Sequence, residues 1–275
     1  CDSLVYLNLN VFDTLNAGNI IDDQFLCFGS TPLLHSFDIL PSGVDSIFSL
    51  IWESSTDGVN WLQSNNSSLN FQPPSLNQST YYRVVVSSDF GCGSDTTNFV
   101  LDSIFDPLSP ATINSNQDIC YDTSPNSLNV SQVSTGGGLL SDSSYIWQSS
   151  LNGLSNWQDI GYGLSYSPGS LTVDHFFRVK TVSNFNCGPV FSNLILINVY
   201  DPLSSGAINS SQNICFNTEP DSLSFAVLPT GSDGDYTFVW QYSLDDQLWV
   251  DIPSSDNLIY QPPVLDTTHF YRSIV

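Results

Sequence analysis

An all-β fold, repeated in tandem, is predicted by three observations. Helix formers are nearly missing: only Glu53 and Glu219 are glutamate among 27 acidic side chains, Lys180 is the sole lysine, and methionine is absent. What remains is Val, Ile, Phe, Tyr, Trp and Thr punctuated by Asn, Asp, Gly, Pro and Ser, which suits strands and turns. Short strings also recur. Ile51-Trp52-Glu53-Ser54-Ser55 returns as Ile146-Trp147-Gln148-Ser149-Ser150 and then as Val239-Trp240-Gln241-Tyr242-Ser243, at spacings of 95 and 93 residues.

The same beat carries Cys27, Cys120 and Cys215; Trp61, Trp157 and Trp249; and Tyr82-Arg83, Phe177-Arg178 and Tyr271-Arg272. Boundary phrases match as well: Phe105-Asp106-Pro107-Leu108-Ser109 is echoed by Tyr200-Asp201-Pro202-Leu203-Ser204, and an earlier copy is Phe12-Asp13-Thr14-Leu15. The chain divides accordingly into 1–15, expected as the last strand of a preceding repeat; complete repeats at 16–108 and 109–203; and a third at 204–275 that stops in mid-strand. We therefore expect the array to continue beyond both ends of the sequence.

Each repeat reads as about seven short strands. In the third they are Ala207–Cys215, Leu223–Leu228, Tyr236–Ser243, Trp249–Pro253, Leu258–Gln261 and His269–Val275, with the seventh visible earlier as Asn193–Val199. Asp57-Gly58, between two aromatic-rich runs, has the signature of a short hairpin; Asn152-Gly153 and Asp245-Asp246 are its copies. This strand count within about 95 residues predicts tandem immunoglobulin-like β-sandwiches.

Composition excludes several functions. The formal net charge is −23, with 11% charged and 41% hydrophobic residues, so the surface is mostly neutral polar. Four basic side chains cannot neutralise a nucleic-acid backbone, nor dock on anionic lipid. No apolar run approaches 18 residues, so no membrane insertion is expected in this segment.

The repeat register suggests disulfides Cys27–Cys92 and Cys120–Cys187, with Cys1 and Cys215 paired in neighbouring repeats. One bridge per module implies an oxidising, extracellular setting and about 4 kcal/mol of chain-entropy stabilisation. Metal ligation is the competing reading, but no CxxC or Cys/His cluster supports it. Each first cysteine lies a whole strand ahead of the Trp, so the bond would tie the leading segment to the turn after the sixth strand and clamp the junction.

Recurrence of Trp52, Trp147, Trp240, Trp61, Trp157 and Trp249 in every copy favours structural core or hairpin packing over a sugar platform. Strand alternation puts Tyr82, Val84 and Val86 on one face and Arg83 on the other. Cross-strand contacts are expected for Arg83 with Glu53, Arg178 with Gln148 and Arg272 with Gln241, each worth a few tenths to about 1 kcal/mol. An anion-binding arginine is the functional alternative.

No catalytic constellation accompanies His35, His175 or His269, and an enzyme is not expected. Gly136-Gly137-Gly138 leads no helix and reads as loop slack. Calcium is considered at the junction residues Asp106 and Asp201 and at Asp233 and Asp235, against the plainer reading that Asp starts turns. Asp-Ser/Thr-apolar triplets such as Asp2-Ser3-Leu4, Asp45-Ser46-Ile47 and Asp102-Ser103-Ile104 resemble the O-glycosylation sequon of Bacteroidetes. Side chains differ most between copies in the loops Leu40–Phe48, Val133–Ser144 and Leu228–Tyr236, where any binding is expected.

Taken in order, Gln117-Asp118-Ile119-Cys120 and Gln212-Asn213-Ile214-Cys215, then Trp-Gln-x-Ser, Asp-Gly-x-x-Trp, Tyr-Tyr-Arg and a closing Cys-Gly resemble the Ig-like repeats of giant secreted Bacteroidetes surface adhesins, including gliding-motility adhesins exported by the type IX secretion system. The resemblance covers essentially the whole chain and implies cell-surface filaments or stalks carrying an adhesive element, with no catalytic residues. The expected partners are neighbouring repeats of the same polypeptide and identical chains in a bundle. A glycan-binding or spacer module of a secreted enzyme is the alternative.

Overall fold

The computed structural model describes residues 3–43 and 48–275. Cys1 and Asp2, and the triplet Asp45-Ser46-Ile47 with its neighbour Val44, lie outside the described residues. The first repeat contains β1 (Asn19–Ile21), β2 (Gln24–Leu26), β3 (His35–Ile39), β4 (Phe48–Ser55), β5 (Leu62–Gln63), β6 (Asn70–Phe71), β7 (Thr80–Ser88), β8 (Ser94–Thr96) and β9 (Val100–Ile104). The second contains β10 (Thr112–Ile113), β11 (Gln117–Ile119), β12 (Leu128–Gln132), β13 (Tyr145–Ser150), β14 (Gln158–Tyr162), β15 (Ser165–Tyr166), β16 (His175–Thr181), β17 (Val190–Phe191) and β18 (Ile195–Val199). The third contains β19 (Ala207–Ile208), β20 (Leu223–Val227), β21 (Val239–Ser243), β22 (Val250–Asp251), β23 (Ile259–Tyr260) and β24 (Phe270–Ile274). A 3-10 turn at Asp142–Ser144 is the one helical element among the described residues. No helix among them is long and apolar enough to cross a membrane.

Each complete repeat is a two-sheet sandwich. In the first, β1-β3-β6 forms one sheet and β2-β9-β7-β4-β5 the other, with β8 on β7; the second repeats this plan strand for strand. The third has β19-β20-β23 and β22-β21-β24. The leading segment was expected to be one strand, as in Ala207–Cys215, but it breaks in two. β1 runs antiparallel to β3 in one sheet, and β2 runs parallel to β9 in the other. A segment that changes sheets cannot keep one ladder.

Residues 3–15, expected as a strand, carry no ladder. Their counterpart β9 is held by β7 on one side and β2 on the other, and no equivalent pair flanks residues 3–15.

The core follows from alternation. Along β7, Thr80, Tyr82, Val84, Val86 and Ser88 are buried while every second residue is half-exposed. Trp52, Trp147 and Trp240 are fully buried. Each stacks on one aromatic of the opposite sheet: Phe71 at 5.4 Å, Tyr166 at 6.2 Å and Tyr260 at 6.1 Å. Each indole N–H is satisfied by a backbone carbonyl, that of Ser68, Gly163 or Asn257, at 2.9–3.0 Å. Truncating one such indole to alanine costs about 3–5 kcal/mol.

Candidate functional site: the junction between repeats

The exit of the first repeat is laid down by its edge. The Phe105 amide donates to the Leu26 carbonyl at 3.0 Å, which extends the β2–β9 pairing by one step. The Asp106 carbonyl then accepts from the Gly137 amide at 2.7 Å, and the Ser109 amide donates to Thr135 at 2.8 Å, both in the second repeat. Gly136-Gly137-Gly138 is therefore not slack. A Cβ on Gly136 would strike the Pro107 carbonyl oxygen, and one on Gly138 would meet the rings of Phe105 and Phe185 at 2.8 Å. The glycines let the loop close over the incoming chain.

The other junctions copy this contact. A Cβ on Gly43 would strike the Thr14 carbonyl oxygen, and one on Gly231 that of Pro202. The Asp201 carbonyl accepts from the Ser232 amide at 2.8 Å, and Ser204 and Thr230 exchange amide bonds. The loops expected to recognise an outside ligand thus grip the preceding module at Gly43, Gly136 and Gly231.

An aromatic cluster fills the first junction. Phe105 lies 4.5 Å from Phe185, and Phe25 lies 6.2 and 5.9 Å from the two. Sequence reasoning missed this set. Its one visible signal was the aromatic that opens each boundary phrase, at Phe12, Phe105 and Tyr200.

The disulfide corrects the expected pairing. Cys27 is bonded to Cys187, with 5.4 Å between Cα atoms and 160 residues between them in sequence; neither Cys27–Cys92 nor Cys120–Cys187 forms. Cys92, Cys120 and Cys215 are free and exposed. Topology supplies the reason. Because β2 is parallel to β9, Cys27 emerges at the exit end of its sandwich. Because β7 is antiparallel to β9, Cys92 emerges at the front end. The two are separated by the length of β7, about 25 Å, far beyond what a disulfide spans. Cys187, at the front of the second repeat, comes within reach instead.

A second layer, repeated in all three modules, lies outside the core. Arg83 Nε donates to Glu53 at 2.9 Å, Arg178 Nε to Gln148 at 2.8 Å and Arg272 Nε to Gln241 at 2.7 Å. Glu53, Gln148 and Gln241 are buried although they sit on the outer sheet face, because the arginines and the second tryptophan series cover them. Trp61, Trp157 and Trp249 are thus not core residues. They are half-buried, and a guanidinium carbon stands 4.0–4.1 Å over each ring. Burial lowers the pKa of Arg178. Lys180 bonds Asp159 at 2.8 Å, and that bond, with a second from Gln148, holds the Asp159 carboxyl below the ordinary carboxylate range.

The Asp57-Gly58 turn is wider than the expected short hairpin, since it spans residues 56–61 between β4 and β5. The Asp57 carboxylate closes it by accepting from the amides of Val59 and Asn60 at 2.8 and 2.7 Å and from the Asn60 side chain at 2.7 Å. Asn152 and Asp245 hold the same loop in the other repeats.

The calcium candidates do not converge. Asp106 and Asp201 work through their carbonyls, as above, while the Asp233 carboxylate accepts from the Asp235 amide at 3.2 Å. Among the described residues no group of three or more His, Cys, Asp or Glu could hold a metal ion. His175 and His269 turn their Nδ1 to the carbonyls of Val173 and Thr267. A cavity of about 650 Å³ opens in the third repeat, lined by residues 208–216 and 265–271 among others. In the first two repeats the matching segments are separated by β9 and β18.

These features define an Ig-like repeat protein whose joint contact, at Gly43, Gly136 and Gly231, recurs in every repeat. The chain belongs to the family described as "Domain of unknown function (DUF8696)", which matches residues 16–104, 109–201 and 204–275. No curated protein matches the chain in sequence. Among solved structures, the three N-terminal domains of the bacteriophage RB49 Highly Immunogenic Outer Capsid protein are 13% identical, with a TM-score of 0.34, over 90% of this chain and 82% of that one. Sidekick-1 immunoglobulin domains 1–5 are 12% identical with a TM-score of 0.32, over 91% and 53%. Chicken CNTN1 domains FN1–FN3 are 12% identical with a TM-score of 0.28, over 93% and 90%.

Proposed function

We propose that the chain is a structural, non-catalytic segment of an extracellular stalk or filament that displays an adhesive element at a cell surface. The observation that carries this reading is the Cys27–Cys187 bond, which ties one module to the next. A bond there does little for the interior of either sandwich and much for their relative orientation. Glycine contacts at Gly43, Gly136 and Gly231 repeat the joint along the chain, as a load-bearing or spacing element requires. The disulfide suits an oxidising compartment, and the shared strings suit a Bacteroidetes surface adhesin exported by the type IX system.

Small-angle scattering and single-particle imaging before and after reduction test the reading. We expect an extended, beaded particle with a narrow spread of angle between the first two modules, and a wider spread once the bond is reduced. A compact globule in the unreduced state would overturn it.

A further inference from the structure

We propose that the cysteines form a ladder with a step of one repeat: the exit-end cysteine of every repeat is bonded to the front-end cysteine of the repeat that follows. Cys27–Cys187 is one rung. Cys120 is then bonded to the cysteine equivalent to Cys187 in the third repeat, past Val275, and Cys92 to the cysteine equivalent to Cys27 in a repeat ahead of residue 16. The proposal rests on the stalk reading only in needing neighbours of the same family.

Three observations on this chain carry it. Within a repeat the two cysteines emerge at opposite ends of the sandwich, so no exit-end thiol can reach its own front-end partner. The turn presenting the exit-end cysteine is the same in all three repeats. The carbonyls of Cys27, Cys120 and Cys215 accept from the amides of Ser30, Thr123 and Thr218 at 3.0–3.2 Å, and the left-handed residues Gly29, Asp122 and Asn217 lie between. The amides of those three residues donate to Leu76, Leu171 and Leu265 at 2.8–2.9 Å. The front-end turn is duplicated too: the Phe90 amide donates to Ser88 Oγ at 3.2 Å as that of Phe185 does to Ser183 Oγ at 3.3 Å.

The ring contact beside the bonded rung recurs beside Cys92. Phe12, in the place of Phe105, lies 5.5 Å from Phe90, in the place of Phe185. The chain arriving ahead of the first repeat therefore docks on Cys92's turn as the first repeat docks on that of Cys187. Each rung forms as two thiols lose two protons and two electrons to a disulfide-bearing oxidoreductase, whose own disulfide is reduced to two thiols.

The test is peptide mapping of the full native polypeptide, alkylated without reduction. The expected result is Cys27 crosslinked to Cys187, with Cys92 and Cys120 each crosslinked to a cysteine of another repeat. Cys27–Cys92 or Cys120–Cys187 crosslinks, or full alkylation of Cys92 and Cys120, would overturn the ladder while leaving an extended particle unaffected. Cys120→Ser adds a second arm. It should expose one thiol in the third repeat and leave Cys187 protected, whereas alkylation of Cys187 would mean within-repeat pairing.

Discussion

The first two repeats share a plan strand for strand, yet fill the same place in their cores with opposite chemistry. In the first, His35 on β3 and Asp102 on β9 are both fully buried, with Nε2 and Oδ2 3.1 Å apart. In the second, the same positions hold Leu128 and Ile197, also fully buried. The surroundings match: His35 faces Phe71 across the β3–β6 pair as Leu128 faces Tyr166. Burial, with Asp102 as a second cause, pushes the Tyr82 hydroxyl up to about 12. His35 Nδ1 and Asp102 Oδ1 have no hydrogen-bond partner. The sandwich therefore does not need a polar pair at this position, and the first repeat carries one against its desolvation cost.

Breaking that pair should give the largest effect. Asp102→Ala leaves His35 buried and unpartnered, and the expected loss is about 3–5 kcal/mol. Hydrogen exchange resolved by peptide should show it in β3, β7 and β9, with β12, β16 and β18 unchanged. Equal loss of protection in both repeats would mean that the joint transmits stability and that the modules are not separate folding units.

Converting the pair sharpens the same comparison. The double change His35→Leu with Asp102→Ile gives the first repeat the interior of the second. Replacing a buried polar pair by well-packed apolar residues is neutral or stabilising, by about 1–4 kcal/mol. Exchange protection in β7 should then equal or exceed that of the wild type. A loss beyond about 1 kcal/mol would show that His35, 5.2 Å from the Tyr82 ring, supplies packing that leucine cannot.

The outer layer differs by one charge. Arg83 faces a carboxylate and Arg178 an amide, each arginine lying over a tryptophan. Glu53→Gln should make the first repeat resemble the second at a cost of about 1 kcal/mol or less. The difference between wild type and variant should shrink in 1 M salt, measured by denaturant melts. A salt-independent difference would assign the cost to lost geometry and not to charge.

How much of this was legible in the sequence depended on whether a signal was local. Alternation along Tyr82-Arg83-Val84 put Arg83 on the face away from the core, and the repeats put it opposite Glu53, because both arguments involve neighbouring strands. The disulfide was not legible in the same way. A repeat gives each cysteine's position within its module but not which module supplies the partner, and only the parallel β2–β9 pairing sends Cys27 to the exit end. The Trp61 series recurred as faithfully as the Trp52 series, and recurrence alone cannot separate a core from a covered outer face. Gly136-Gly137-Gly138 looked like slack because the surfaces it fits, Pro107, Phe105 and Phe185, come from both sides of a boundary. His35 stood 67 residues from Asp102, with nothing local to pair them.

The smallest expected effect lies in the six-residue loop after the Trp strand, where the repeats again differ by a titratable group. Asp57 accepts its bonds as a carboxylate, and the amide and side chain of Asn60, with the Val59 amide and Ser55, hold its pKa well below the ordinary range. Asp245 is lowered in the same way by the amides of Leu248 and Gln247, while Asn152 makes equivalent bonds with a side chain that does not titrate. A folded pKa below the unfolded one means that the loop's contribution is complete above the ordinary carboxylate value, near 4, and is lost as pH falls through the lowered value. Amide chemical shifts of Val59, Asn60, Gln247 and Leu248 should therefore move in an acid titration, while those of Leu154 and Ser155 stay still. Asp57→Asn should leave the loop intact at pH 7 and remove its acid transition, since asparagine supplies the same acceptor oxygen in the second repeat. If that variant opens the loop at neutral pH, the charge of Asp57 holds the turn and the resemblance between the two loops is one of shape alone.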